Sequence, residues 1–177
     1  MKTSLGKRTI GHKSRAGDSG QALLEFAISA TVMLTLVFGI IDFGRAIYDV
    51  EVMKSLTGEG SSLASRGTTL SDTASAVVTA AATLDLTDNG RVIVTSVYNN
   101  NNSLQITGQA SQGGIAASSK IGNVVGGAAI LPASATPAVN QTVYVTEVFC
   151  NYKTITPIGN LLGNNILPSQ LYDVAYY

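Results

Sequence analysis

Twenty residues, Ala22 to Ile41, carry no charge except at Glu25. As a helix rising 1.5 Å per residue, such a run is about 30 Å long, the thickness of a bilayer's hydrocarbon core. Glu25 narrows the choice of what the run is for. A carboxylate in a membrane helix costs about 2.5–3.5 kcal/mol at the centre on insertion scales, and less near an end. It therefore calls for a partner or a task. Asp42 and Arg45 mark the far boundary of the run.

Charge is divided unevenly along the 177 residues, although the net charge is zero. Before Gln21 stand Lys2, Lys7, Arg8, Lys13 and Arg15 against the single acid Asp18. From Gln21 onward the acids outnumber Lys and Arg. A basic leader before an apolar segment predicts a cytoplasmic N-terminus and an extracytoplasmic remainder. The body has no basic patch to neutralise phosphates, which argues against nucleic acid as a partner. The length suits one domain plus an anchor. The lone Cys150 has no internal disulfide partner and reads as a small buried apolar residue.

Three readings fit the N-terminal pattern. A cleaved secretory signal needs a core of about 7–15 residues and a small-x-small site. The run here is longer, and Ile41-Asp42-Phe43-Gly44-Arg45 is a poor site. A plain signal anchor leaves Glu25 near the interface without a role. A prepilin-type signal is cut after a glycine, just before the apolar helix, and carries Glu at the fifth residue of the product. A cut after Gly20 makes Gln21 the first residue and Glu25 the fifth, with Phe26 following. When such helices bundle, the freed amine and the carboxylate can pair within or between subunits. Either charge buried alone is costly, so the pair sets axial register.

Gly20-Gln21-Ala22-Leu23-Leu24-Glu25-Phe26 and Phe38-Gly39-Ile40-Ile41-Asp42-Phe43-Gly44-Arg45-Ala46 resemble the N-terminal signature of TadE-like proteins. These are minor pilins, or pseudopilins, of the tight-adherence (Flp) pilus system. The resemblance extends over roughly Gly20–Arg66, through Glu59-Gly60 and Ala64-Ser65-Arg66, and returns more weakly over Thr142–Pro157. It implies cleavage by a prepilin peptidase, with Gly20 before the cut and Glu25 as the processing and assembly carboxylate. The segment Asn99–Gln141 and the ending Tyr172–Tyr177, which lacks the family's charged close, depart from the family pattern.

The apolar positions Ile47, Val50, Met53, Leu56 and Leu63 continue a helical stripe beyond the membrane, with Gly67 as its C-cap. One helix is thus expected from Ala22 to Arg66. A second is expected over Thr73–Leu84, capped by Ser71 or Asp72. Asp88-Asn89-Gly90 signals a turn, Arg91–Tyr98 and Ser103–Ala110 a hairpin, and Thr142–Lys153 a strand ending before Pro157. Leu171–Tyr177 closes the sheet in this reading. The Gly/Ala/Ser-rich stretch 112–140 reads as a long excursion with a short helix near Ile115–Lys120. The expected fold is α+β and pilin-like: a leader over 1–20, a helix over 21–68 that spans a membrane in its first half, and an extracytoplasmic head over 69–177, built on a small antiparallel sheet.

Residues for catalysis are scarce. The only histidine, His12, sits in the leader, so the body lacks a His-based triad or His metal site. No phosphate-cradling Gly-Lys-Ser/Thr motif occurs. Gly113-Gly114 and Gly126-Gly127 read as linkers, Asp85 and Asp88 as solvated acids beside a turn, and the glycosylation-like Asn140-Gln141-Thr142 as a loop. No enzyme, cofactor or metal is expected. The expected role is a structural pilin or pseudopilin for adhesion. Its partners are prepilin peptidase, other pilin subunits, the assembly machinery and membrane lipids. It waits in the bacterial inner membrane before reaching the cell surface or pilus. The alternative is an uncleaved, membrane-anchored periplasmic binding or scaffold protein.

Overall fold

Nothing between Ala16 and Ser65 stops a helix: the stretch has no proline and its glycines are single. In the computed structural model, which describes residues 16–157 and 168–177, this stretch is one element, α1 (Ala16–Ser65). The basic residues of the leader and His12 lie outside the described residues. The chain forms two compact units, Met1–Ile40 and Ile41–Tyr177.

In the first unit, α1 is bare. Leu23, Phe26, Met33, Leu36 and Ile40 are all more than half exposed, and no protein group covers the run. The helix is long and apolar enough to cross a membrane. Its two threonine hydroxyls are satisfied without water, since Thr31 Oγ1 donates to Ala27 O and Thr35 Oγ1 to Thr31 O, each at 2.8 Å. In hydrocarbon an unsatisfied polar group would be costly, so this back-bonding suits a lipid-facing helix.

The second unit is an α+β head. α1 ends as the glycine predicted. Gly67 takes φ +95, its N–H reaches Ala64 O at 3.1 Å, and the Thr68 N–H reaches Leu63 O at 3.4 Å. This double closure is a Schellman cap. Then follow α2 (Leu70–Ala80), α3 (Leu86–Asn89), β1 (Gly90–Asn100), β2 (Ser103–Gly113), a 3-10 turn at Ala133–Ala135, β3 (Thr142–Asn151) and β4 (Gln170–Tyr176). The four strands form one antiparallel sheet in the order β2-β1-β3-β4. Asn101 and Asn102, at φ 49 and 69, make the two-residue hairpin turn that asparagine tolerates.

Helix α2 begins earlier than expected and ends earlier too. Its N-cap is Thr69, not Ser71 or Asp72. Thr69 Oγ1 accepts the Asp72 N–H at 3.1 Å and its hydroxyl donates to the Asp72 carboxylate at 2.7 Å. The reciprocal pair outcompetes the two later candidates. The expected short helix near Ile115–Lys120 is absent, because its backbone pairs elsewhere. The Ile115 N–H goes to Gly90 O, and the Lys120 N–H to the Glu147 carboxylate.

Both faces of the sheet are covered, which explains why Val92–Val97 is buried without alternation. One face packs Val92, Val94, Val148 and Cys150 against Met53, Leu56 and Ala64 of α1 and Ala74 and Val77 of α2. The other gathers Val97, Ile106, Val143 and Val145 under Ile121, Ala129 and Leu131 of the 114–141 segment. That segment is sewn to β2, with Gly126 N–H to Ile106 O at 2.7 Å and Ala129 N–H to Leu104 O at 2.9 Å.

The inner stripe of α1 keeps Met53 and Leu56 of the apolar one expected, with Val50 packed against them, and adds polar and small positions. Ile47 is half exposed, while Asp42, Ala46, Asp49, Met53, Thr57, Gly60, Ser61 and Ala64 are buried. Gly60 is needed for closeness: a Cβ there would lie 2.9 Å from Thr146 and Val77 side-chain atoms. Ser61 Oγ donates to Ala175 O at 2.9 Å and accepts the Thr146 N–H at 3.1 Å, placing a helix hydroxyl at the β3–β4 pairing.

Candidate functional site

The four residues singled out by sequence lie together on α1. Gly20 sits inside the helix, which begins at Ala16, and nothing approaches within 4 Å of where its side chain would be. Gln21 and Glu25 are four residues apart, so they share one face, one turn apart. Glu25 is exposed and has no ion pair among the described residues. Phe26, 71% exposed, stands beside it. A helix starting at Gln21 would present a positive dipole end and four free N–H groups within a turn of the Glu25 carboxylate.

Sequence reasoning treated Asp42 only as a boundary marker, and the structure gives it a larger part. It is almost fully buried. Its Oδ1 accepts the Ile155 N–H at 3.1 Å and the Thr156 N–H at 3.2 Å, its Oδ2 accepts the Thr156 hydroxyl, and its backbone O accepts the Tyr152 hydroxyl at 2.7 Å. Burial pushes the Asp42 carboxyl up, but the Thr156 and Ile155 bonds and the nearby Arg45 outweigh it and hold it below its ordinary value. The carboxylate thus clamps the chain after β3 to the turn of α1 that follows the apolar run.

Two turns further along, Asp49 is also buried, and its ionic partner among the described residues is Arg45 Nε, at 3.8 Å. Burial pushes its carboxyl up, and Arg45 only partly counters that. Asp49 and Arg45 line a cavity of about 240 Å³ with Thr83, Leu84, Asp85, Asn89, Cys150, Tyr152 and Lys153. Burial, with the Asp49 and Asp85 charges, pushes the Cys150 thiol up to about 11. Asp85 takes φ 48 and accepts from Asn89 Nδ2 at 2.7 Å, so it is structured as a helix entry for α3. No group of three metal-ligating side chains occurs among the described residues.

On the opposite face of the sheet Glu147 is fully buried. It accepts from the Ser119 hydroxyl, the Lys120 N–H at 2.9 Å and the Tyr172 hydroxyl at 3.0 Å. The Lys120 ammonium lies 3.4 Å above the Tyr172 ring. Burial and then the Glu147 charge push the Tyr172 phenol up. These bonds pin the 114–141 segment to the sheet; a lone Glu in a strand gave no sign of this in the sequence.

The family model for TadE-like proteins matches residues 20–61, from Gly20 through the apolar run to Ser61. The match takes in Gly20, Gln21, Glu25, Phe26, Asp42 and Asp49, and stops before α2 and the sheet. No curated protein matches the chain, and no solved structure does.

Proposed function

We propose that this chain is a pilin-like subunit of a tight-adherence pilus, structural rather than catalytic, that is cut after Gly20 by a prepilin peptidase. The carrying observation is a helix with no protein cover along its apolar run, carrying one exposed carboxylate, inside the stretch that matches TadE-like proteins. Once cut, the Gln21 amine and Glu25 lie one turn apart. In the apolar bundle of a filament, the amine of one copy and the carboxylate of the same or a neighbouring copy neutralise each other. Phe26 packs against the neighbouring helices. Until assembly, Ala22–Ile41 sits in the inner membrane with the head in the periplasm. Assembly with other pilin subunits then carries the head to the cell surface for adhesion.

Intact-mass measurement of membrane-extracted protein tests the cut: a chain beginning at Gln21 is expected, and one beginning at Met1 refutes it. Glu25→Ala should leave membrane insertion intact and abolish incorporation into sheared filaments. Unchanged incorporation refutes the pairing.

One observation favours a second reading, an uncleaved anchor carrying a periplasmic scaffold. The Gly20–Gln21 bond lies inside α1, so a peptidase has to unwind the first turn to reach it. That reading expects Gly20 substitutions to leave both mass and localisation unchanged.

A further inference from the structure

The cavity beside Cys150 lines up an amine, an amide and a carboxylate. Lys153 Nζ donates to Asn89 Oδ1 at 3.2 Å, and Asn89 Nδ2 donates to Asp85 Oδ2 at 2.7 Å. All three residues line the cavity. The amine thus faces the carbonyl end of a side-chain amide while the carboxylate holds its nitrogen end. Adding a C=O bond of about 1.23 Å to the 3.2 Å contact puts Nζ at most about 4.4 Å from the amide carbon. That is about 1 Å outside the separation of about 3–3.5 Å from which such groups react.

Local structure keeps the three together. Asp85 caps α3 and Asn89 ends it, and the Asn89 N–H also bonds to Asp85 O at 2.8 Å. Gly90 pairs with Cys150, so the chain leaves β3 beside the end of α3. On either side of Lys153 the backbone is tied: the Tyr152 N–H bonds to Ser169 O at 2.9 Å, and the Ile155 and Thr156 N–H groups bond to the Asp42 carboxylate. Reactants held this way skip the entropy of a bimolecular encounter. Lys153 is exposed and has no ion pair among the described residues, so its ammonium can pass a proton to solvent without breaking one.

We propose that Lys153 and Asn89 join in an intramolecular isopeptide bond, with Asp85 as the proton carrier. The neutral amine of Lys153 adds through Nζ to Asn89 Cγ, and the carbonyl electron pair moves onto Oδ1. In the adduct Nζ and Nδ2 sit on one carbon, so Asp85, already bonded to Nδ2, takes a proton from Nζ and hands it to Nδ2. The carbonyl re-forms, the Cγ–Nδ2 bond breaks and ammonia leaves. The exchange of one amide for another needs no oxidant, reductant or cofactor. The link ties β1 to its neighbour β3 at the end where Gly90 meets Cys150. It is a covalent staple that a single cysteine cannot supply.

The test is intact mass and a protease digest of the full chain in detergent micelles, on purification and through several days at pH 8 and pH 9. The chain should be lighter by one ammonia, and the Asn89 peptide should be found joined to the Lys153 peptide. Where unlinked chain remains, joining should run about tenfold faster at pH 9 than at pH 8, because only the neutral amine attacks. Lys153→Arg keeps a cation at an exposed site but offers no such amine, and should hold its full mass. Asp85→Asn, a residue that tolerates positive φ, should slow joining at least about a hundredfold. Closure of Asn89 onto the Gly90 nitrogen also expels ammonia, but it joins no peptides and survives Lys153→Arg. Mass loss of that kind alone, or no joined peptide after several days at pH 9, overturns the link. Joining at an undiminished rate in Asp85→Asn overturns the part given to Asp85.

Discussion

Asp42→Ala removes the acceptor for three hydrogen bonds and leaves the Tyr152 bond, which uses the backbone carbonyl, in place. The cost is concentrated at Thr156, because Ile155 is exposed and its N–H can turn to water. A bond to a charged group is worth about 1.5–3 kcal/mol net, and a buried N–H left unpaired costs about 1–3 kcal/mol. Removing the charge also removes its own desolvation cost, which offsets part of this. The balance is about 2–4 kcal/mol, which at 1.36 kcal/mol per decade means a loss of hydrogen-exchange protection of about 30- to 1,000-fold. The assay is residue-resolved amide exchange on the full chain in detergent micelles. Thr156 should lose protection on that scale while the β3 amides keep theirs. A change at Thr156 below about threefold refutes the clamp, since a single bond to a charge is already worth more. Loss of β3 protection by the same factor refutes its local character. The pH dependence has a definite sign. The folded carboxyl is held below its ordinary 3.8, so the clamp is fully present above that value and is lost as pH falls through the depressed one. The clamp should therefore respond little between neutral pH and pH 5.

Three further outcomes test the head. Gly60→Val should destabilise it by about 1–3 kcal/mol through overpacking against Thr146 and Val77, whereas Gly58→Ala, with open space around it, should stabilise α1 by about 1 kcal/mol; opposite shifts in thermal midpoint check both. Ser61→Ala should cost about 1–3 kcal/mol in denaturant titration, by stripping a partner from Thr146 N–H and Ala175 O. Cys150, with its thiol pushed from 9.0 to about 11, should alkylate at pH 8 about a hundredfold more slowly folded than unfolded, read by timed mass spectrometry; equal rates refute its burial.

The long helix was legible because an apolar run, the absence of proline and a closing Gly67 all say the same thing. β3 was legible from its Val, Tyr and Thr content. The start of α2 was not, because Thr69, Ser71 and Asp72 are all good caps and only the Thr69–Asp72 geometry separates them. The inner stripe of α1 was legible at Met53 and Leu56 but misplaced at Ile47, because a search for apolar spacing passes over Asp42, Thr57 and Ser61, which face the head through hydrogen bonds. At the N-terminus, Gly20, Gln21, Glu25 and Phe26 were singled out by the basic leader, their spacing and the family resemblance, and their roles are a proposal. Glu147 and the Asp42 clamp escaped because each depends on partners far away in sequence, which no local pattern encodes.

That distance governs how the molecule comes into being. Thr57 meets Asp173, Ser61 meets Ala175 and Asp42 meets Thr156 across separations of 114 to 116 residues. A ribosome adding about 5–20 residues per second leaves α1 waiting on the order of 5–20 s for the groups it will hold. Contacts so remote form slowly, because chain closure precedes any gain. During the wait a greasy stripe would invite neighbours to stick. Here carboxylates and hydroxyls interrupt the apolar positions Met53 and Leu56, so part of that surface stays hydrated until its mate emerges.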